Sequence, residues 1–401
     1  MRPRILFLVP ADYEELLQKG AAFTLAEKEE NGFFERVITV HPSAHRTQVL
    51  DLSPVQRLYE FREFFLPGGD RNKLFRYLHH FFHVFRLMRN IVRIVDQERI
   101  NLVRANDPHF NGLLAWLLSL IRPIPFCISL HADYDKRHEL DSQHTPTLFG
   151  SRRIARRLEK FLFRRANLVI PIRFSLAKKI EAYGVPLSLI RVIPHGIDLA
   201  PFRSKSTVSV RESLGISESN HLLSFAGRLS KENYVYDILH LAVELKKKRS
   251  DFVIVMAGDG PEKEGIKNFV AQHQLDTNIK LIGFQPRDYV ISLRQESTIS
   301  LCLMGGYSLI EACAAGRPVI TYDVEWHSEL IKNGETGCLI PEGNGDELIR
   351  SVESLLAHPA LADRLGTRAK ELAFERHDVA KTSAIKRKCY QELLELNQSP
   401  S

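Results

Sequence analysis

Residues 303–320 (LMGGYSLIEACAAGRPVI) combine a glycine pair, a hydroxyl residue and a single acid at a spacing suited to a phosphorylated ligand. Gly305 and Gly306 precede Ser308 at the start of an apolar turn, which predicts the beginning of a helix. The unpaired N–H groups and positive dipole end of such a helix attract phosphate. Glu311, about one turn further on, could accept hydrogen bonds from vicinal ribose hydroxyls. Taken alone, the pattern also fits a helix capped by Ser308, with Glu311 closing a capping box.

The segments at 221–233, 252–266, 279–283 and 297–303 share one organisation. Each is a short apolar run that ends in a turn before a helical pattern, and this alternation predicts parallel βαβ units. Ligands of such sheets bind at the carboxyl ends of the strands. The candidate residues that fall at these ends are Arg228, Gly258, Phe284, Gly305 and Glu311.

The segments FAGRLS, MAGDGPE, IGF and GGYSLIEACAAGRPVI, preceded by VIPHGIDLAPF, resemble the motifs of the family-four retaining glycosyltransferases. The resemblance covers residues 191–341 closely and the first half more loosely, through RANDPH, SLHADYD and LEKFLFRRANLVIP. It implies an α/β protein of the GT-B type, with two Rossmann-like domains facing a central cleft. It also implies that a sugar is transferred from a nucleotide sugar with retention of configuration and without a metal ion.

A chain of 401 residues exceeds the usual size of one hydrophobic core, so two domains are expected. We predict an acceptor-side domain at 1–200 and a nucleotide-sugar-binding domain at 210–376, with a polar linker at 199–210. The resemblance implies that the last helix, within 377–396, crosses back to the first domain. The predicted strands of the first domain are 4–9, 37–40, 102–105, 125–130, 168–171 and 190–193.

The resemblance also assigns roles at the donor site. Arg228 would meet the departing diphosphate, because a planar guanidinium can hold it bidentately, and Lys231 would assist. His131 would contact the donor sugar or the acceptor. The residues expected to bind the donor are Gly258, Phe284, Gly305, Gly306, Tyr307, Ser308, Leu309 and Glu311.

Candidate acceptor-side residues lie in loops that follow apolar segments of the first half. Asp133 is in SLHADYD, Asp107 in VRANDPH, and His195 and Gly196 in VIPHGID. For Asp107, an Asp-Pro turn is almost as good an explanation as acceptor binding. Gly196 would let the backbone approach a ligand closely.

Two positions depart from the family pattern. The first of two acids that the family carries eight positions apart falls on Leu303, and strict register places Asn233 where a lysine is usual. These departures leave two alternatives to a transferase. One is a non-catalytic GT-B subunit that binds a nucleotide or a partner enzyme, and the other is another GT-B reaction such as sugar-nucleotide epimerisation.

Two basic segments predict an anionic partner in a chain of net charge +7. Residues 71–95 hold six Lys/Arg and no acid, and residues 151–165 hold seven against Glu159 alone. Basic, aromatic amphipathic helices bind anionic membrane surfaces, although such a helix can equally pack on its own sheet. For 71–95 we expect Phe75, Phe82 and the arginines to face lipid. The residues expected to face the sheet are Leu74, Leu78, Phe81, Phe85, Met88, Val92 and Val95.

The remaining features narrow the function. There is no nucleic-acid recognition motif, so we expect no nucleic-acid partner. The five scattered cysteines predict neither disulfides nor a zinc site. No cofactor is expected beyond a UDP- or GDP-sugar substrate. The short apolar run near the N-terminus predicts a first strand. We expect a cytoplasmic protein, with the inner face of the membrane as its place of association. The acceptor would be a glycan or a lipid-linked acceptor in bacterial surface polysaccharide synthesis.

Overall fold

The computed structural model describes residues 2–18, 25, 27–62, 73–135 and 151–396, without the side chains of 27, 73–81 and 396. The chain divides into two compact units, one formed by Met1–Pro194 with Ser383–Ser401 and the other by His195–Thr382. His195 and Gly196 therefore belong to the second unit, not to the acceptor-side domain in which the sequence analysis placed them. Pairing explains this, because Ile197 forms a parallel bridge with Asp378 of the same unit.

The first unit contains a seven-stranded sheet in the order β3-β4-β2-β1-β5-β6-β7, parallel except for the edge strand β3. The strands are β1 (Arg4–Leu8), β2 (Arg36–Ala44), β3 (Gln48–Asp51), β4 (Gln56–Arg62), β5 (Leu102–Ala105), β6 (Phe126–Leu130) and β7 (Leu168–Pro171). The sequence analysis missed β3 and β4, which contain several polar and charged residues. It also predicted a strand at 190–193, where the structure has only an isolated bridge from Ile190 to Val169.

Helices cover both faces of this sheet because successive strand residues point to opposite sides. The helices of the first unit are α1 (Tyr13–Gln18), α2 (Lys73–Glu98), α3 (Phe110–Ile121), α4 (Arg152–Phe163) and α5 (Phe174–Ala182). One core joins Leu6 and Val103 to α2, α3 and α4. The opposite core joins Ile5 and Leu102 to Tyr390, which belongs to the C-terminal helix α14 (Val379–Leu396).

Helix α2 agrees with the predicted face except at one residue. Met88 and Val95 are buried as expected, and half-buried Val92 packs against the same core. Phe85, which was also expected to pack on the sheet, is 62% exposed. Phe82 is exposed as expected. The predicted contacts of Leu74, Phe75, Leu78 and Phe81 lie outside the described side chains, and Arg71 lies outside the described residues.

The second unit contains a six-stranded, fully parallel sheet in the order β10-β9-β8-β11-β12-β13. The strands are β8 (His221–Ala226), β9 (Phe252–Ala257), β10 (Ile279–Gly283), β11 (Ile299–Leu301), β12 (Val319–Tyr322) and β13 (Cys338–Ile340). Chain order runs outward in one direction from β8 and in the other from β11. These two neighbours therefore form the switch point, where ligands of open α/β sheets bind.

The helices of the second unit connect these strands and flank the sheet. They are α6 (Val210–Leu214), α7 (Val235–Lys246), α8 (Lys263–Gln272), α9 (Arg287–Glu296), α10 (Tyr307–Ala314), α11 (His327–Leu330), α12 (Gly345–Ala357) and α13 (Pro359–His377). The predicted linker at 199–210 is wrong, because Leu199 and Phe202 are fully buried in the core of this unit. Among the helices described here, none has the length and apolar content needed to cross a bilayer.

Candidate active site

The carboxyl ends of β8 and β11 bring together the two segments that the sequence analysis selected for the donor. Helix α10 begins at Tyr307, six residues after β11, and Arg228 lies two residues after β8. Ser308 joins the two segments, since its hydroxyl donates to the carbonyl oxygen of Ala226 at 2.8 Å. The N-terminus of α10 is thereby held against the end of β8.

Two glycines at this edge are required by geometry. Gly258 has φ +141°, and a Cβ there would lie 1.8 Å from the carbonyl oxygen of Gly227. A Cβ on Gly305 would lie 2.7 Å from the sulfur of Cys302 and 3.0 Å from the amide nitrogen of Leu309. Larger residues would push the strand ends and the start of α10 apart, so these glycines keep the site compact.

Buried His327 holds the loop before α10. Its Nδ1 lies 2.6 Å from the hydroxyl of Thr321 and 3.0 Å from the carbonyl oxygen of Tyr322. Its Nε2 lies 3.3 Å from the amide nitrogen of Gly305 and 2.9 Å from the carbonyl oxygen of the same residue. The amide of Leu309 bonds to the carbonyl of Gly306. The backbone amides of Gly305 and Leu309, which were predicted to donate hydrogen bonds to a phosphate, therefore already have partners within the protein.

The capping-box alternative for this helix is wrong. Gly306 is the N-cap residue and makes no side-chain cap hydrogen bond. The hydroxyl of Ser308 bonds instead to Ala226 and accepts from the buried guanidinium of Arg294 at 2.8 Å. Because Glu311 also has another partner, described next, neither side chain is used for capping.

Glu311 is directed away from its own helix. One carboxylate oxygen lies 3.1 Å from Nε of Arg287, at the start of α9, and only 18% of the side chain is exposed. Arg287 also donates to the carbonyl oxygen of Asp198 at 2.6 Å. The carboxylate thus has one cationic partner, while its remaining lone pairs can accept from hydroxyl groups of a ligand.

Arg228 and Lys231 have a different environment, because both side chains are exposed. Within the described ranges, neither lies within 4.0 Å of a carboxylate. Asn233, which occupies the usual lysine position, donates through Nδ2 to the carbonyl oxygen of Arg228 at 2.7 Å. It therefore supports the backbone of this loop, while Lys231 supplies the second positive charge.

Exposed rings border the same edge of the sheet. Phe284, directly after β10, is 84% exposed, and Tyr307, the first residue of α10, is 52% exposed. The ring of His195 packs edge-on against Tyr307, with 5.8 Å between centroids. The structure thus brings His195 to the donor segment. Gly196 is explained by internal packing, because a Cβ there would lie 2.0 Å from the hydroxyl of Thr382.

Leu303 contributes only to the core. It is fully buried in the main hydrophobic cluster of the second unit, between the end of β11 and the start of α10. The position of the family's first acid therefore cannot present a side chain to a ligand in this chain. Any contact to the donor sugar must come from other groups.

In the first unit, Asp107 stabilises its own loop. Its carboxylate accepts from the amide of His109 at 2.8 Å and from the side chain of Asn111, and only 6% of the residue is exposed. His109 in turn contacts buried Glu159 at 2.6 Å. These contacts match the turn explanation of Asp107 at least as well as an acceptor role.

The acids of SLHADYD are paired with cations. Lys179 contacts both Asp133 and Asp135, and Arg152 lies 2.9 Å from Asp135. Burial raises the pKa of Asp135, but hydrogen bonds from Lys179 and Arg156 outweigh it and hold the pKa at about 2. Asp133 therefore forms part of an internal ion-pair network. His131 follows β6 directly and is partly exposed.

Sequence reasoning missed three residues at the donor segment: Arg287, Arg294 and His327. Arg287 could have been noticed, because it follows the IGFQP turn at the predicted carboxyl end of β10. Arg294 and His327 gave no such signal. Each lies in a helical segment distant in the chain from residues 305–308, and only the fold brings them to that loop.

A cavity of about 660 Å³ lies elsewhere on the second unit. It is bordered by His221 and Thr298, at the amino ends of β8 and β11, and by Arg211 and Arg317. None of the predicted donor residues borders it. The predicted donor residues lie at the opposite edge of the sheet, at the carboxyl ends of its strands.

Comparison with known proteins identifies the family. The model of Glycosyltransferase Family 4 matches residues 36–201, and that of Glycosyl transferases group 1 matches residues 208–372. The chain belongs to the family-four, group 1 glycosyltransferases, which have the GT-B fold.

Individual relatives of this glycosyltransferase are distant. Alpha-D-kanosaminyltransferase of Streptomyces kanamyceticus is 24% identical over 66% of the chain and 70% of its own length. Alpha-monoglucosyldiacylglycerol synthase of Acholeplasma laidlawii is 22% identical over 75% of the chain and 77% of its own length. Several others are matched over only 51–60% of their length.

A solved structure shows the same fold. The Anabaena protein HepE in complex with UDP superposes with a TM-score of 0.67 at 18% identity, over 97% of this chain and 100% of its own. At this level of identity the likeness shows the fold and not the substrate.

Proposed function

We propose that this glycosyltransferase moves a sugar from a UDP- or GDP-sugar to a glycan or lipid-linked acceptor, with retention of configuration and without a divalent metal. The observation that carries the proposal is the bond from Ser308 to Ala226, which unites the N-terminus of α10 with the Arg228 loop at the switch point. This edge combines a helix N-terminus, two exposed cations and a carboxylate, as a nucleoside diphosphate requires.

Each part of the donor has a proposed partner. The N-terminal turn of α10 binds the diphosphate through its backbone and helix dipole, and Glu311 accepts the ribose hydroxyls beside Arg287. The exposed ring of Phe284 stacks on the base, and Gly258 lets the end of β9 pack closely against Gly227 at this edge. The family relationship and the UDP complex of HepE support a nucleotide of this type.

The transfer step breaks the bond between C1 of the sugar and the diphosphate oxygen. A new bond forms from C1 to an acceptor hydroxyl oxygen, whose proton leaves with the nucleotide or to solvent. Negative charge develops on the departing diphosphate, and preorganised donors there lower the barrier. Arg228 and Lys231 meet this charge. By the family resemblance, His131 contacts the donor sugar or the acceptor.

The donor assignment is tested with Glu311→Ala. Loss of charge-assisted hydrogen bonds should weaken binding of UDP or GDP by about 1.5–3 kcal/mol in isothermal titration. Glu347→Ala, which removes an exposed acid of the same unit, serves as the matched control and should leave affinity unchanged. Unchanged affinity in a folded Glu311→Ala variant would exclude α10 as the donor site.

Metal independence is tested by turnover in a chelator. The cations Arg228 and Lys231 would replace the charge that a metal supplies elsewhere. Activity should be the same in chelator and in Mg²⁺ or Mn²⁺. Loss of activity in chelator, with recovery on adding either ion, would contradict this part of the proposal.

We also propose that the enzyme works in bacterial surface polysaccharide synthesis, in the cytoplasm at the inner face of an anionic membrane. Support comes from the outer sides of α2 and α4. Arg86, Arg89 and Arg93 are exposed on α2 beside the exposed Phe82 and Phe85. A basic surface with exposed aromatic rings suits a lipid interface. The similarity to alpha-monoglucosyldiacylglycerol synthase also supports it.

The structure redefines the basic face of α4. Arg152 and Arg156 are paired with Asp135 and are not available to lipid. The residues of this segment that are exposed and paired with no described acid are Arg153, Arg157, Lys160, Arg164 and Arg165. Arg165 lies over the half-exposed ring of Phe161, 5.3 Å from its centroid.

Vesicle sedimentation tests this face. A variant with Arg153, Arg157, Lys160 and Arg165 changed to Ser should bind anionic vesicles at least about tenfold more weakly, since each cation contributes about 1 kcal/mol near such a surface. A control with equal charge loss changes Lys247, Lys248, Arg350 and Arg368 of the second unit, which pair with acids. Binding that ignores salt and lipid charge, or an equal loss in both variants, would refute the proposal.

The second candidate function is a non-catalytic GT-B subunit. Burial of Leu303 and the backbone role of Asn233 favour it, because two positions usual for substrate contacts serve structure here. Slow hydrolysis of a nucleotide sugar by the purified protein separates the two candidates. A transferase releases nucleoside diphosphate over time, whereas a binding subunit releases none.

A further inference from the structure

Arg294 is a buried cation at the base of the proposed donor site. It lies near the end of α9 and is only 4% exposed. Its guanidinium donates to the carbonyl and to the hydroxyl oxygen of Ser308, the latter at 2.8 Å. Ser308 is the second residue of α10, so the positive charge lies beneath the first turn of the helix that would bind the diphosphate.

The charge of Arg294 has no described counter-charge. Across the described ranges, no carboxylate lies within 4.0 Å of it, and its Nε has no hydrogen-bond acceptor. The nearby acid Glu296 is already used, because its carboxylate accepts from the amides of Val210 and Arg211. A buried charge without a partner is costly to the folded protein. An anion bound close by would offset that cost.

We propose that Arg294 is a positioning residue for the donor diphosphate. It fixes the first turn of α10 through Ser308, whose hydroxyl continues to Ala226 at the end of β8. It also adds a full positive charge to the partial charge of the helix N-terminus, where anion binding is already favourable. A hydrogen-bonding residue without charge would supply only the first of these effects. The inference rests on the proposed function, since it requires the diphosphate to bind at α10.

The test compares ligands that differ only in phosphate number. Titrations of uridine, UMP and UDP, and of the guanosine series, are made with the wild type, Arg294→Gln and Arg294→Lys. Glutamine keeps a donor for Ser308 but removes the charge, so UDP or GDP affinity should fall about tenfold. The monophosphate should lose less and the nucleoside should be unaffected. Lysine keeps the charge and should retain most of the diphosphate affinity.

Arg317→Gln is the matched control. Arg317 is half-exposed, donates to the carbonyl of Gln295 and lies at the amino end of β12, so its loss should leave all affinities unchanged. Thermal unfolding without ligand adds a second readout. Removal of an uncompensated buried charge should leave the melting temperature of Arg294→Gln equal to or above that of the wild type.

Several outcomes overturn the inference. Equal losses for nucleoside and diphosphate would make Arg294 only a structural support of α10, and unchanged affinities would show that its charge does not reach the ligand. If Arg294→Gln does not fold, a tenfold loss of UDP affinity in folded Arg294→Lys would equally contradict it. Failure of the proposed function is seen separately, because then wild type binds neither UDP nor GDP, or Glu311→Ala binds as wild type does.

Discussion

Charged side chains gather at the carboxyl ends of both sheets, but their surroundings differ. In the first unit, Arg152 and Glu159 are 7% and 3% exposed and contact each other, and Asp135 joins the same network. In the second unit, Arg228 and Lys231 are exposed and pair with no acid of the described chain. The first set already balances its charge internally, whereas the second leaves positive charge for an external anion. Acid–base residues near a strand end are therefore a weaker sign of a ligand than cations without partners.

Removal of Arg152 should have the largest effect and should act on stability. Arg152→Met leaves buried Glu159 with only its contact to His109, and breaking a buried pair costs about 3–5 kcal/mol in unfolding free energy. Urea unfolding of the first unit measures this. The adjacent Arg153→Met is the control, because exposed Arg153 should change stability by less than about 0.5 kcal/mol. A stable Arg152→Met variant that loses transfer activity would place Arg152 at a substrate instead.

Removal of Arg228 should act on catalysis and not on stability. Arg228→Ala should lower kcat by about 10²–10³-fold, because a preorganised charge on the departing diphosphate is lost. Donor affinity should fall less, since the interaction strengthens as charge develops. Arg228→Lys should recover part of the rate without the bidentate fork. Steady-state transfer rates at saturating donor test this, with Arg350→Ala as control. An unchanged kcat in Arg228→Ala would show that the unpaired charge of the second unit does not act on the departing diphosphate.

Acid should weaken the first unit through Asp135. The pKa of this carboxyl is about 2 in the folded protein, below its ordinary value of 3.8. A depressed pKa contributes stability above the unfolded value, and this is lost as pH falls from about 4 towards 2. Asp135→Asn should remove that part of the pH dependence while lowering stability at pH 7. The measurement is the unfolding free energy of variant and wild type as a function of pH. If both lose the same free energy between about pH 4 and pH 2, the pairing of Asp135 does not stabilise the unit.

The smallest effect is expected for the exposed pair of the second unit. Arg287 and Glu311 are 44% and 18% exposed, so their contact should contribute at most about 1 kcal/mol. Arg287→Ala should therefore leave stability almost unchanged and shift nucleoside diphosphate affinity less than about fivefold. Titration and thermal unfolding of the same preparation measure both. If Arg287→Ala lowered stability as much as Arg152→Met does, this partly exposed pair would stabilise its unit as strongly as the buried pair of the first unit.

Much of the donor segment could be predicted because its signals are local. The turn at Gly305, the start of α10 and the strand before Gly258 each follow from residues adjacent in the chain. Placement of Arg228 and Glu311 at the same edge followed from the rule for parallel sheets. The acceptor side was less predictable. Asp107 and Asp133 carry the right chemistry, but their partners come from distant helices.

The segment that contains Leu199 and Phe202 shows that prediction of the fold from sequence was limited in the same way. Polar neighbours and Pro201 suggested a linker, yet both side chains are fully buried. Phe85 of α2 is a second case, because it shares the predicted apolar face with buried Met88 and Val95 but is exposed. In both cases, whether a side chain is buried depends on the surface that packs against its segment after folding. The periodicity of the segment itself does not encode that surface.

The sequence by itself determined the alternation of strands and helices, the parallel sheets and the glycine-opened start of α10, because backbone hydrogen bonding and turn geometry depend on neighbouring residues. Only the tertiary structure decided which charges are paired. Arg152 is neutralised by Glu159, whereas Arg294 is buried beneath Ser308 without an acid, and Arg228 stays exposed. The free energy of a charge depends on the groups and water within a few ångströms, and those are assembled from distant parts of the chain.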